Sequence, residues 1–152
     1  MSEEGWEMLK SLAHHHHDDF ILMAVLEHSD DMNRFYETFG YFNWLKIPLH
    51  ITADEYLSIL TDYPKHSKND CILNIASRVV WASPSLKWAI YGERDFEICI
   101  LGIDQEIAGK TLESWRLLDD HVLDWISVVF PNQIVPDEFQ KKLAAHYKYK
   151  GQ

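Results

Sequence analysis

The sequence predicts an α+β fold: one mostly helical domain, residues 1–152, around a small antiparallel β-sheet. Apolar residues recur at helical spacing over most of the chain, whereas alternation of apolar with other residues is confined to about residues 86–103. No repeat, low-complexity linker or Pro/Gly-rich hinge divides the 152 residues, a length typical of one domain.

The N-terminal segment is predicted to be a helix with Ser2 as its N-cap. Its apolar face consists of Trp6, Leu9, Leu12 and Ala13. The apolar run Phe20–Leu26 fits either a buried strand or a buried helix. Its Met, Ala and Leu residues favour the helix.

Two further helices are predicted before residue 65. Ser29-Asp30-Asp31 can open the first, which Lys46-Ile47-Pro48 ends because a residue before proline is pushed out of the α region. Its apolar stripe is Met32, Phe35, Tyr36, Phe39 and Phe42. Thr52 and Glu55 form a capping box for the second, which stops at Pro64. Its apolar residues are Tyr56, Leu57, Leu60 and Tyr63.

Beyond Asp70 the pattern is helical but ambiguous. The spacing involves Ile72, Ile75, Ala76, Val79 and Val80. The β-branched pair Val79-Val80 before Trp81 leaves a strand near residues 78–82 as the alternative. Ser83-Pro84-Ser85 ends the element in either case.

The segment at about residues 86–103 is predicted to be a β-hairpin. Glu93-Arg94-Asp95 is interpreted as its three-residue loop. The expected cross-strand pairs are Gly92 with Phe96, Ile90 with Ile98, and Trp88 with Ile100. This register places all the large apolar residues on one face of the hairpin.

The last third is predicted to be helical. The first helix runs from Thr111 to Phe130, closed by Pro131, and Pro136 fits the first position of a final helix. The apolar stripe of the first helix is Trp115, Leu118, Val122, Trp125, Ile126 and Val129. The final helix carries Phe139, Leu143, Ala144 and Tyr147.

The charge is strongly negative and unevenly distributed. The chain has 24 acidic and 14 basic residues, a net charge of −10, with −9 in residues 1–62 and −6 in residues 104–138. A field of this sign disfavours nucleic acid and anionic membranes and favours basic proteins or cations. Part of the acidity is expected at helix N-termini, where it complements the helix dipole.

The sequence also predicts a cytoplasmic location. The longest apolar run has seven residues, whereas a membrane-spanning helix needs about 20. The N-terminus lacks the features of a signal peptide, and Cys71 and Cys99 do not form a disulfide framework.

The run His14-His15-His16-His17-Asp18-Asp19 is a candidate metal site. On a helix, His14, His17 and Asp18 stand at positions i, i+3 and i+4, so two imidazoles and a carboxylate can meet one divalent transition metal such as Zn. The alternative interpretation is a solvated polar turn between two apolar segments, because consecutive histidines point around a helix rather than converging.

Asp119, Asp120 and Asp124 are candidate partner-binding residues. Asp120 and Asp124 stand at i and i+4 on one helix face, where like charges repel each other. A basic partner would relieve this repulsion, and the alternative is a solvated face that keeps the protein soluble. The acidic hairpin tip around Arg94 is interpreted as turn chemistry rather than a catalytic site.

These observations lead to a binding protein without catalytic activity as the first hypothesis. It is a small acidic inhibitor or immunity-type protein that covers a basic protein surface, and common nucleophile, phosphate-loop and zinc-protease motifs are absent. The second hypothesis is a metal-dependent enzyme or metal-binding protein built on the His14–Asp19 cluster. The third is self-association through aromatic residues within Met32–Trp44.

Overall fold

The computed structural model of the protein describes residues 3–27, 32–64, 69–104, 115–116, 118–119 and 121–147. The strands are β1 (Phe20–Val25), β2 (Trp44–Pro48), β3 (Arg78–Ala82), β4 (Trp88–Glu93) and β5 (Ile98–Ile103). The helices are α1 (Glu3–His15), α2 (Met32–Phe39), α3 (Ala53–Thr61), α4 (Ile72–Ile75), α5 (His121–Ile126) and α6 (Asp137–Tyr147). Two 3-10 turns lie at Ser127–Val129 and Pro131–Gln133. Within the described residues, no helix combines the length and apolarity that crossing a membrane requires.

The five strands form one antiparallel sheet in the order β2-β1-β3-β4-β5. The α+β class is therefore confirmed, but the prediction of a mostly helical domain around a small hairpin sheet is wrong. Strands β1, β2 and β3 all lie outside the segment predicted to be the hairpin. Two of these were predicted within or next to helices, and β3 was only the alternative interpretation of its segment.

The preference for a helix at Phe20–Leu26 is wrong because long-range pairing outweighs local propensity there. Strand β1 lies at the centre of the sheet and pairs with β2 on one side and β3 on the other. Met23 and Val25 are buried on one face of the strand, and Ala24 is buried on the other. A strand covered on both faces shows no alternation in its sequence.

The helix predicted to continue to Lys46 ends at Phe39. Gly40 adopts a left-handed conformation with φ of 79°, and its N–H donates to the Tyr36 carbonyl oxygen at 2.7 Å. Glycine takes this conformation without a Cβ penalty, so it terminates α2. The chain then forms the edge strand β2, where Pro48 is tolerated because an edge strand leaves some N–H groups unpaired. The predicted caps at Ser2 and Ser29-Asp30-Asp31 lie outside the described residues.

The capping box of α3 is confirmed. The Glu55 N–H donates to Thr52 Oγ1 at 3.2 Å, and the Thr52 N–H donates to Glu55 Oε2 at 2.7 Å. The helix places Tyr56 and Leu60 in the core. After it, the helical pattern from residue 70 yields only the four-residue α4, and the strand alternative near residues 78–82 is confirmed as β3.

The predicted hairpin exists, but its register is wrong by three residues. The observed pairs are Trp88 with Ile103, Ile90 with Leu101, Gly92 with Cys99, and Glu93 with Ile98. Because three is odd, the shift moves the side chains of β5 to the opposite face. Ile98 and Ile100 therefore lie on the face away from Trp88 and Ile90.

The sheet has apolar layers on both faces, which explains this register. The first face carries the cross-strand row Met23, Trp81, Ile90 and Leu101, and the second face carries Ala24, Val80, Tyr91 and Ile100. Residues of α1, α3 and α4 join the main core with the first face. A second core gathers Val122, Ile126, Val135 and Leu143, against which Ile98 and Ile100 pack.

The C-terminal region is less helical than predicted. Of the helix expected from Thr111 to Phe130, the structure has α5 from His121 and a 3-10 turn, whereas Trp115, Arg116, Leu118 and Asp119 are not helical. Residues 111–114 lie outside the described part of the chain. The final helix after Pro136 is confirmed as α6, and its Leu143 is buried.

Candidate functional site

Four large apolar side chains lie exposed on α2 and at the start of β2. The exposed fractions are 48% for Met32, 47% for Tyr36, 48% for Phe42 and 50% for Trp44. The rings of Tyr36 and Phe42 stack with centroids 4.7 Å apart and an interplanar angle of 27°. We call these four residues the aromatic surface.

The predicted aromatic stripe of α2 is divided between core and solvent. Phe35 is 1% exposed. The centroid of its ring lies 4.6 Å from that of Phe39 and 5.7 Å from that of Tyr41. The Tyr41 hydroxyl donates to the Asp70 carbonyl oxygen at 2.6 Å, and burial raises the pKa of Tyr41 to about 12. With this side of α2 packed inward, Tyr36 points outward.

Asn43 ties the segment between Phe42 and Trp44 to the end of β1. Its Nδ2 donates to the Val25 carbonyl oxygen at 3.1 Å, and the Val25 N–H donates back to the Asn43 carbonyl oxygen at 2.9 Å. Asn43 is fully buried, whereas Phe42 and Trp44 on either side of it are about half exposed. Trp44 pairs with Ala24 and so belongs to the second face of the sheet.

The predicted acidic residues lie around the start of α5. Asp119 Oδ1 accepts a hydrogen bond from the His121 N–H at 3.0 Å, so this carboxylate supports the turn into the helix. Asp124 is exposed, with Oδ2 3.7 Å from His121 Nδ1. Asp120 lies outside the described residues. The guanidinium of Arg116 lies nearby over the ring of Trp125, 4.5 Å from its centroid, so the acids have a basic neighbour.

The helical spacing assumed for the metal site is not present, because α1 ends at His15. His17 is in the left-handed region with φ of 59°, and its N–H donates to the His14 carbonyl oxygen at 3.1 Å. Asp18 is 7% exposed, and its carboxylate accepts hydrogen bonds from the N–H and the hydroxyl of Ser85, both at 3.2 Å. This carboxylate joins the end of α1 to the β3–β4 turn.

Across the described part of the chain, no three His, Cys, Asp or Glu side chains are grouped so as to hold a metal ion. His16 is half-buried beside this segment. The pKa of His16 is lowered, mainly by burial and to a smaller extent by the neighbouring His15. His14, His17 and Asp18 therefore stay a prediction as metal ligands, without support from a converging geometry.

An apolar cavity of about 340 Å³ lies on the first face of the sheet. Its floor is formed by Met23, Val79, Trp81, Gly92 and Cys99, and its walls by Leu60, Ile72, Leu73 and Ala76. Ser77, Glu93, Arg94, Glu97 and Ile98 complete its lining. Sequence reasoning missed this cavity, because its lining residues come from segments far apart in the sequence, including β1, α3, α4, β3 and β4.

Gly92 and Trp81 define the floor of the cavity. A Cβ on Gly92 would lie 3.0 Å from Cζ3 of Trp81 and 3.5 Å from Sγ of Cys99, so any larger residue would push the indole away from the strand. A lone glycine within a strand pattern signals such a close approach, and this was the available sequence signal. Cys99 is exposed as a residue, but partial burial of its thiol against the cavity raises the thiol pKa.

Comparisons of the chain with known protein families, curated proteins and solved structures found no match.

Proposed function

We propose that this protein is a non-catalytic binding protein that engages a partner protein through the aromatic surface. The observation that carries the proposal is the grouped exposure of Met32, Tyr36, Phe42 and Trp44, each about half exposed. Single exposed apolar residues are ordinary, whereas grouped ones mark interaction sites. Tryptophan and tyrosine are also enriched among the residues that dominate interface energetics.

The charge of the chain supports a basic partner. The net charge of −10 favours encounter with a positively charged surface. Glu37 is exposed on α2 directly after Tyr36, and Asp30 and Asp31 precede α2 in the sequence. An inhibitor or immunity-type protein that covers a basic surface fits this combination of aromatic anchors and acidic flanks. Asp119, Asp120 and Asp124 are proposed to add to the attraction.

Two features of the chain support a cytoplasmic protein that does not bind nucleic acid. Cys71 and Cys99 are both free thiols, as expected in a reducing compartment. The acidic net charge would repel a phosphate backbone.

The decisive experiment compares partner affinity between matched variants. A partner captured on the immobilised protein at low salt is identified and purified, and its affinity is then measured by calorimetry. The triple variant Tyr36→Ser/Phe42→Ser/Trp44→Ser should weaken binding at least about 30-fold, corresponding to a hot spot of roughly 2 kcal/mol. Leu86→Ser is the control, because Leu86 is 86% exposed on the β3–β4 turn. Equal affinity of the triple variant and the control contradicts the proposal.

Charge and self-association are tested with the same proteins. Binding to a basic partner should weaken as salt rises, and Asp120→Lys/Asp124→Lys should weaken it further. Binding that is insensitive to both would exclude the proposed basic partner. Sedimentation velocity distinguishes the alternative: a wild-type dimer that the triple variant converts to a monomer assigns the aromatic surface to self-association.

A further inference from the structure

The apolar cavity on the first face carries an inference that is independent of the aromatic surface. We propose that it binds one small, uncharged, largely apolar molecule about the size of a two-ring aromatic compound. The cavity opens to solvent at Arg94 and Glu97 and reaches down to buried apolar side chains of the main core, with a volume of about 340 Å³. Ligand pockets commonly fall between about 300 and 1,000 Å³ and are lined mainly by apolar residues.

The size of the cavity sets the size of the ligand. An apolar cavity of roughly 150 Å³ stays dry and accommodates benzene. The present cavity has about twice that volume, which suits two fused rings or a branched hydrocarbon of similar bulk. Its depth is lined by buried apolar side chains, namely Met23, Leu60, Ile72, Ala76, Val79 and Trp81. A charged group placed there would lose its hydration without compensation.

The floor of the cavity is held in one conformation by a chain of aromatic residues. The Trp81 indole N–H donates to the Tyr56 hydroxyl at 2.9 Å, and that hydroxyl lies 3.7 Å from Sδ of Met23. The Tyr56 ring stacks on Trp6 with centroids 4.5 Å apart, and burial raises the pKa of Tyr56 to about 12. A fixed floor lowers the entropy cost of binding, because few side chains must be ordered by the ligand.

Arg94 fixes the mouth of the cavity. Its guanidinium donates to the carbonyl oxygens of Leu73 and Asn74, and its N–H donates to the Ser77 carbonyl oxygen at 2.8 Å. These bonds tie the β4–β5 turn to the α4 segment. Two of the five guanidinium N–H donors bind backbone carbonyl oxygens in this way, so the guanidinium serves to hold the turn in place.

The cavity mouth offers no net positive charge that would favour an anion. Glu97 and Arg94 both line the cavity, so their side chains carry no net charge. The carboxylate of Glu93 lies on the second face instead, where its Oε2 accepts a hydrogen bond from the Tyr91 hydroxyl at 2.6 Å. The net charge of −10 and the cost of removing a carboxylate from water therefore favour a neutral ligand over a carboxylate of the same shape.

The test uses two probes with the same rings and different charge. Calorimetry should show one molecule of 2-naphthalenemethanol bound per chain, and 2-naphthoate should bind at least tenfold more weakly. The neutral probe should also slow alkylation of the Cys99 thiol, which lines the cavity, as followed by mass spectrometry. Absence of binding by the neutral probe overturns the proposal, and equal affinity of the two probes overturns its charge selectivity.

Variants locate the bound probe. Ala76→Phe fills the cavity from its wall, and Cys99→Phe fills it from β5, so either should reduce affinity at least tenfold. Ala89→Phe is the matched control, because Ala89 is exposed on the second face of β4. If Ala76→Phe does not fold, Cys99→Phe decides the question.

The aromatic-surface triple variant should bind the probe normally, which separates this result from the partner proposal. Unchanged affinity in the filled variants overturns the assignment of the site.

Discussion

Trp81 and Trp44 lie on opposite faces of the same sheet and have different environments. Trp81 belongs to β3, between β1 and β4, and it is 8% exposed with its indole N–H bonded to Tyr56. Trp44 belongs to the edge strand β2 and is 50% exposed beside Phe42. Strand position and helix cover, rather than residue type, therefore decide whether an aromatic residue belongs to the core or to a surface.

The largest expected effect is the difference in stability between truncations of these two tryptophans. Trp81→Ala should lower the free energy of unfolding by about 3–5 kcal/mol, because it leaves a large void and removes the hydrogen bond that the Tyr56 hydroxyl accepts. Trp44→Ala should change it by no more than about 0.5 kcal/mol. Urea denaturation followed by circular dichroism measures both. If Trp44→Ala destabilises the fold as much as Trp81→Ala, Trp44 is a core residue and the comparison fails.

The second largest effect is expected from the contact that holds the end of α1, which packs on the first face of the sheet. Asp18→Ala removes both hydrogen bonds that tie the end of α1 to Ser85, so it should cost about 1–3 kcal/mol. Asp19→Ala is the control, since Asp19 is exposed, and it should stay within about 0.5 kcal/mol. Both are measured with a chelator and with added zinc. A loss of stability in Asp18→Ala that appears only with zinc would contradict the structural role and support the predicted metal site.

The third prediction compares two aromatic pairs, one in the second core and one on the aromatic surface. Phe96 and Phe139 have ring centroids 4.7 Å apart and share contacts with Phe130. A double-mutant cycle with alanine should give a coupling free energy of about 0.5–1.5 kcal/mol. Tyr36 and Phe42 are also 4.7 Å apart but exposed, so their coupling should be smaller. Equal coupling in the two cycles would show that exposure does not separate these pairs.

The elements that sequence reasoning located correctly are those with local signals. The apolar spacing around Leu9 predicted α1, the Thr52 capping box predicted α3, and Pro136 predicted the start of α6. Strands β1 and β2 were not predicted, because they are stabilised by pairing with segments distant in the sequence, and local propensity contains no information about that pairing. The hairpin register failed because it assumed one apolar face, whereas Ile98 and Ile100 serve a second core.

The candidate sites follow the same division. The sequence predicts a group of aromatic residues within Met32–Trp44, but which of them are exposed and which are buried, as Phe35 is, depends on what packs against α2. The apolar cavity depends on residues as far apart as Met23 and Cys99, so no local pattern could reveal it. Asp18 was predicted to be a metal ligand because it follows four histidines in the sequence. In the structure its carboxylate instead accepts a hydrogen bond from Ser85, 67 positions away.

The smallest expected effect is a pH dependence of the helix that supports Trp81. The carboxylate of Glu55 accepts a hydrogen bond from the Thr52 N–H, and this bond, followed by the interaction with the Thr52 side chain, lowers the pKa of Glu55 from its ordinary 4.5. The ionised form therefore favours folding, so its contribution is complete above the ordinary pKa and is lost as pH falls through the lowered one. Glu55→Gln should be slightly less stable than the wild type at neutral pH, and the difference should vanish in acid. Urea denaturation across this pH range measures the difference, and a constant gap at every pH would show that ionised Glu55 does not stabilise α3.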